Sequence, residues 1–150
     1  MTRKSPAPPV GTADDAEAEF YDALQHGDVE RLMAVWSDED DIVCVHPGGP
    51  RVVGPAAIRS SFASMFAQGG AIAARPEQVR RVETLSCAVH SVLERIALPE
   101  AAAGAREAHV AATNVYLRGP RGWRLVAHHA SPAIAAEPAT ASERPPSTLH

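Results

Sequence analysis

A small set of residues in this sequence can move a proton or hold a developing negative charge: His46, Asn114, Tyr116 and the adjacent pair His128-His129. His46 ends a short β-rich run, Ile42 to His46, just before Pro47-Gly48-Gly49-Pro50. Strand alternation puts Ile42, Cys44 and His46 on one face. An imidazole with an ordinary pKa of about 6.5 accepts and returns a proton near neutral pH, which is what a general acid/base must do. The same ring can instead bond loop carbonyls and fix the Pro-Gly turn. Asn114 donates through its amide at any pH, so it can hold an oxyanion or satisfy a strand edge. Tyr116 lies two residues along the same face and offers a hydroxyl, either to a ligand or as a core aromatic whose polar end reaches the rim. His128 and His129 point to opposite faces under strict alternation. Trp123, Leu125 and Ala127 form an apolar set, which favours His129 inside and His128 on the outer face. A β-bulge reverses that assignment.

Other chemistries find less support. No HxH or HxxxH spacing joins the histidines, so no metal site is expected. Cys44 and Cys87 lie in no CxxC or Cys/His zinc pattern and read as quiet core thiols. Ser131 has no GxSxG context. His90 and His109 sit on strands and read as surface or interface residues, and Asp38 to Asp41 reads as a solvated helix exit.

These residues need elements to place them. Ala16, Phe20, Ala23 and Leu24 recur at helical spacing over Asp14 to His26, and Gly27 supplies a C-terminal cap. Asp28 caps a second helix, Val29 to Trp36, with Leu32, Val35 and Trp36 inward. Strands follow over Ile42 to His46 and Arg51 to Val53. Pro55 then opens a third helix with Ile58, Phe62, Met65 and Phe66 as its stripe. The spacing predicts strands over Glu77 to Ser86, Val89 to Leu98, Arg106 to Arg118 and Trp123 to Ala130, with Pro99 to Gly104 as a loop. The order α-α-β-β-α-β-β-β-β argues for an α+β fold rather than alternating α/β.

The chain has 150 residues, 45% hydrophobic and 21% charged, with a formal charge of −4. That is room for one domain. Its expected span is 13–133, between tails at 1–12 and 134–150 rich in Pro, Ser, Thr or Ala and too polar to order themselves. No basic block suggests nucleic acid as a partner. Arg3 and Lys4 precede prolines rather than an apolar run, and no stretch approaches a membrane span, so no membrane partner and a cytoplasmic location are expected.

Three stretches resemble the SnoaL-like and ketosteroid isomerase superfamily of NTF2-like domains: Ala23 to Trp36, Val43 to Phe62 and Thr113 to Pro132. The last also resembles the association domain of calcium/calmodulin-dependent kinase. The resemblance implies a cone, with three helices against a curved antiparallel sheet and a pocket at its mouth. It places His46 at the isomerases' proton-shuttling aspartate and Asn114 at their protonated aspartate. Phe20 falls at their tyrosine and has no hydroxyl, which disfavours a steroid isomerase. Phe20, Trp36, Phe62, Tyr116 and one of His128 and His129 would line a pocket for a small hydrophobic molecule. Two readings stay open. One is a cofactor-independent isomerase, cyclase or dehydratase using His46 and Asn114. The other is a non-catalytic ligand-binding or assembly domain, with a homodimer formed through outer-face residues such as His109, Arg124 or His128.

Overall fold

The computed structural model describes residues 11–98 and 106–134. The expectations for most of the two tails and for the Pro99 to Gly104 loop therefore lie outside the described residues. Helix α1 (Ala13–His26) starts at Thr12, whose side chain accepts from the Asp15 amide at 3.0 Å. It ends at Gly27 in the left-handed conformation, φ 62°. An added Cβ there would also lie 3.3 Å from the Ala71 backbone, so glycine is required twice over. Helix α2 (Val29–Val35) is capped by Asp28, which accepts from the Arg31 amide at 3.1 Å.

Strands β1 (Val43–Val45) and β2 (Arg51–Val53) precede α3 (Pro55–Gly69). Strands β3 (Ala74–Glu83), β4 (Cys87–Ala97), β5 (Glu107–Gly119) and β6 (Gly122–Pro132) follow. They form one six-stranded sheet in the order β2-β1-β6-β5-β4-β3. The sheet is mixed rather than wholly antiparallel, because β1 runs parallel to β6. With α3 placed between β2 and β3, β1 meets β6, the last described strand, whose direction it shares. No described helix is long and apolar enough to cross a membrane.

Helix α1 packs across β3, β5 and β6 and lays Ala16, Phe20, Ala23 and Leu24 into the core. Phe20, Leu32, Ile58, Phe62 and Leu125 are almost wholly buried, each stabilising the fold by about 2 kcal/mol of removed apolar surface. Trp36 and Trp123 join them. Met65 and Phe66 are only partly buried, so the α3 stripe is narrower than its spacing suggests.

Two irregularities decide where side chains point. In β3, Gln78 takes φ 49° and the register with β4 shifts between Glu77 and Arg80. This break masks the alternation, and the strand begins at Ala74 rather than Glu77. In β6, Tyr116 pairs with Leu125 while Val115 pairs with Ala127, which leaves Val126 as an extra residue. Before the bulge Trp123 and Leu125 face inward; after it His128 and Ala130 do.

Candidate functional site

The β6 bulge corrects the sequence assignment of the histidine pair. His128 is buried and His129 is exposed. His128 lies in register with Asn114 of β5 on one side and Cys44 of β1 on the other. It cannot serve the outer-face interface expected of it. His90 is corrected too. It shares the inward face of β4 with Ala88, Val92 and Glu94 and is fully buried.

These strands and α1 enclose a polar cluster. Glu17 and Tyr21 are four residues apart on α1 and both face the sheet. His90 and Asn114 are register partners on β4 and β5. His128 Nδ1 lies 2.5 Å from Asn114 Oδ1. A carbonyl oxygen only accepts, so His128 carries its proton on Nδ1 and its lone pair on Nε2. Asn114 Nδ2 donates to the Tyr21 hydroxyl at 3.1 Å and to Glu17 Oε2 at 3.3 Å. Tyr21 in turn donates to Glu94 Oε2 at 2.6 Å. From His128 to Glu94 every bond therefore runs in the same sense, an arrangement in which each bond polarises the next. Tyr116 donates to Glu17 Oε2 at 3.0 Å.

Burial governs the proton affinities here. It pushes the Glu94 carboxyl up to about 6; the Tyr21 hydrogen bond opposes this and the nearby Glu17 charge adds to it. Burial, then the charges of His46 and His129, hold the His128 imidazole down at about 3. Tyr21 and Tyr116 are both raised by burial and by neighbouring carboxylates, so they stay protonated donors. Cys44 is pushed up to about 12 by burial, then by Glu94, and is a poor nucleophile at neutral pH.

His46 sits at the edge of this cluster, half-buried. Its Nε2 is 3.0 Å from Ser61 Oγ, and Ser61 Oγ donates its own hydrogen to the Ile58 carbonyl at 2.9 Å. The serine can therefore only accept from the ring. His46 carries its proton on Nε2, and its Nδ1 lone pair has no partner among the described residues. Burial lowers its proton affinity, which keeps the ring neutral near pH 7. The ring meets Phe62 edge-on at 4.8 Å, Phe62 meets Phe20 at 6.3 Å, and Phe20 meets His128 at 5.2 Å.

Of the residues expected from sequence, His46, Phe20, Phe62, Asn114, Tyr116 and His128 converge. Trp36 is buried at the end of α2 beside Leu125, and its indole Nε1 has no hydrogen-bond partner among the described residues. His129 lies outside the group. Both amide hydrogens of Asn114 are committed to protein partners, so it acts as a junction rather than as a free oxyanion donor. Tyr21, the residue after Phe20, brings a hydroxyl into the cluster, where it donates to Glu94 and accepts from Asn114. Glu17, His90 and Glu94 were not anticipated. The available signal was the alternation Ala88, His90, Val92, Glu94, which places two polar groups on an otherwise apolar face. Asp14, Glu17 and His90 also bring one ligand-type atom each within 4.8 Å of one another. Two surface hollows lie elsewhere. One, of about 720 Å³, is lined by residues that include Asp38, Asp41, Arg118, Arg121 and Arg124. The other, of about 230 Å³, includes Glu77, Arg95, Glu107 and His109.

Known proteins share this architecture. A candidate calcium/calmodulin-dependent protein kinase type II association domain from Thiobacillus denitrificans is 32% identical, over 85% of this chain and 100% of that one, with a TM-score of 0.78. A candidate dehydratase of the NTF2-like family from Streptomyces avermitilis is also 32% identical, over 80% of this chain and 93% of that one, with a TM-score of 0.70. The S. rosetta CaMKII hub is 19% identical over 86% of this chain and 100% of that one, with a TM-score of 0.65, and shows the fold alone. No curated protein sequence matches the chain. The sequence model of the SnoaL-like domain matches residues 14–135, nearly the whole of the described fold. With its three helices against a mixed sheet and its buried polar centre, this chain belongs to the SnoaL-like family of NTF2-like domains.

Proposed function

We propose that the protein is a cofactor-independent acid/base catalyst for a small hydrophobic molecule, with His46 as the proton-transferring group. The observation that carries this reading is the orientation of His46. Ser61 fixes its Nε2–H, and the lone pair on Nδ1 is left without a partner among the described residues. A base held by an orienting group, with its reactive atom free, is the arrangement proton abstraction needs. Burial keeps the ring neutral and so in its basic form. The resemblance to a candidate dehydratase at 32% identity favours elimination of water over isomerisation or cyclisation.

The test is turnover of a panel of hydrophobic β-hydroxy ketones, followed by the absorbance of the conjugated enone. His46→Ala lowers kcat/KM by about 10²- to 10⁴-fold, and Ser61→Ala, which only frees the ring, by about tenfold. Equal turnover of an accepted substrate by His46→Ala and wild type removes His46 from this role.

A second reading is assembly. The outer face of the sheet presents Val89, Leu93 and Val115, half-buried, and Leu117, 44% exposed. The candidate kinase association domain at 32% identity supports this reading. A dimer or larger species in light scattering at micromolar concentration, converted to monomer by Leu117→Asp, is the expected result. A wild-type monomer under those conditions ends it.

A further inference from the structure

We infer that the hollow between the α2–β1 loop and the β5–β6 turn binds a hydrophobic monocarboxylic acid, its carboxylate held by Arg124 and Arg118 and its apolar body laid on Ile42, Leu117 and Val126. His46 does not line this hollow, so the inference stands apart from the proton transfer proposed for that residue.

The hollow's volume of about 720 Å³ falls in the range of pockets that take small organic molecules. Backbone bonds hold its walls. The Ser37 amide donates to the Leu125 carbonyl at 2.8 Å and pins the loop after α2 to β6. The Gly54 amide donates to the Ile42 carbonyl at 2.9 Å and holds the far end of the same loop. On the other side the β5–β6 turn carries Arg118 and Arg121. Leu117 and Arg124 are register partners on β5 and β6, so an apolar side chain and a guanidinium stand side by side. Ile42 is almost wholly buried and gives the hollow an apolar floor. A hydrocarbon body placed there leaves water as the side chains of a core do.

The three arginines divide by their partners. Arg121 bonds Asp38 at 3.1 Å and joins the two walls. Arg118 and Arg124 form no ion pair with a described residue. Arg124 is half-buried, and its Nη1 donates to the Trp123 carbonyl at 3.2 Å, which anchors the group. Its other N–H groups have no partner among the described residues. Burial, then the charge of Arg121, lowers its proton affinity, and Asp38 acts against them. A half-buried guanidinium without a carboxylate is completed by one that arrives, through paired N–H···O bonds. Asp38, Glu39 and Asp41 line the same hollow and repel any ligand of higher negative charge. That favours a monocarboxylate over a phosphate dianion.

The experiment is calorimetric titration of the full chain with octanoate, with octanol and inorganic phosphate as separate probes of its two halves. The expected result is saturable octanoate binding, with octanol about tenfold weaker and phosphate not competing. Arg124→Gln weakens octanoate about tenfold and leaves octanol unchanged, a split that a merely loosened fold would not give. Arg118→Gln, at a more exposed position, weakens octanoate about threefold. His46→Ala leaves octanoate affinity within about twofold. Absence of octanoate binding, or equal losses of octanoate and octanol in Arg124→Gln, overturns the site. Loss of octanoate binding in His46→Ala also overturns it and places the carboxylate at His46. Phosphate that competes shows a plain anion site and rejects the hydrophobic acid. Light scattering tests the remaining occupant: an oligomer that Arg124→Gln converts to monomer means that a second copy of this chain covers the hollow, and the proposal fails.

Discussion

Asn114 and Tyr21 in the interior and His46 at the half-buried edge engage their polar atoms in opposite ways. Inside, Asn114 uses both amide hydrogens and its oxygen on protein partners, and Tyr21 both donates and accepts. At the edge, His46 bonds Ser61 through Nε2, with Cys44 Sγ 3.9 Å from the same nitrogen, and its Nδ1 lone pair has no partner among the described residues. A group whose bonding is complete holds neighbours in place. A group with one position open can act on something that arrives. The difference separates positioning from chemistry, although the same residue types serve both regions.

The comparison breaks most visibly at the junction. Asn114→Leu keeps the volume but strips donors from Tyr21 and Glu17 and the acceptor from His128. Urea unfolding should show a loss of about 3 kcal/mol, as expected when buried partners are left unmatched. His46→Ala should cost less than about 1 kcal/mol in the same assay while removing turnover. Equal stability losses for the two variants would mean that interior and edge do not differ as described.

A smaller effect sharpens the electrostatic side. Glu94 is held at about 6 against an ordinary 4.5, so the folded state retains a proton that the unfolded chain has released. The stability this contributes is full below pH 4.5 and is lost as pH rises through about 6, a change of about 2 kcal/mol. His128 acts in the opposite sense. Its affinity is depressed from 6.5 to about 3, so its contribution is full above pH 6.5 and is lost as pH falls through about 3. The two slopes oppose each other between pH 4.5 and 6. Glu94→Gln removes the first, and its urea midpoint should climb with pH more steeply than that of the wild type across this window. Parallel profiles would show that Glu94 has no raised proton affinity.

The smallest effect tests the orientation of the histidine pair. His129→Ala should change stability by no more than about 0.5 kcal/mol, as at an ordinary exposed site, whereas His128→Ala should cost several times more. The reverse order would return the pair to strict alternation.

Much of the fold was legible because its signals are local. Gly27, Asp28 and Pro55 mark helix ends through backbone and capping chemistry that acts within a few residues. His46 and Asn114 were legible through strand ends and a family resemblance. The rest depended on contacts that no local pattern records. Glu17 and Tyr21 look like ordinary positions on an amphipathic helix until β4 brings His90 and Glu94 against them, 73 residues away in the case of Tyr21 and Glu94. Counting outward from Trp123 gave the wrong histidine because Val126 has no partner across the ladder. The parallel join of β1 and β6 is likewise set by chain path and not by composition.

That unpaired Val126 has a genetic consequence. Because the side-chain period of a strand is two, one codon gained or lost beside it would exchange which imidazole meets Asn114 and which meets water. Length changes at this point would thus act as a switch of chemistry, while substitutions of Val126 itself would leave the wiring intact. In relatives, the residue count between the Gly122 turn and the closing histidines is therefore more informative than the identity of any residue between them.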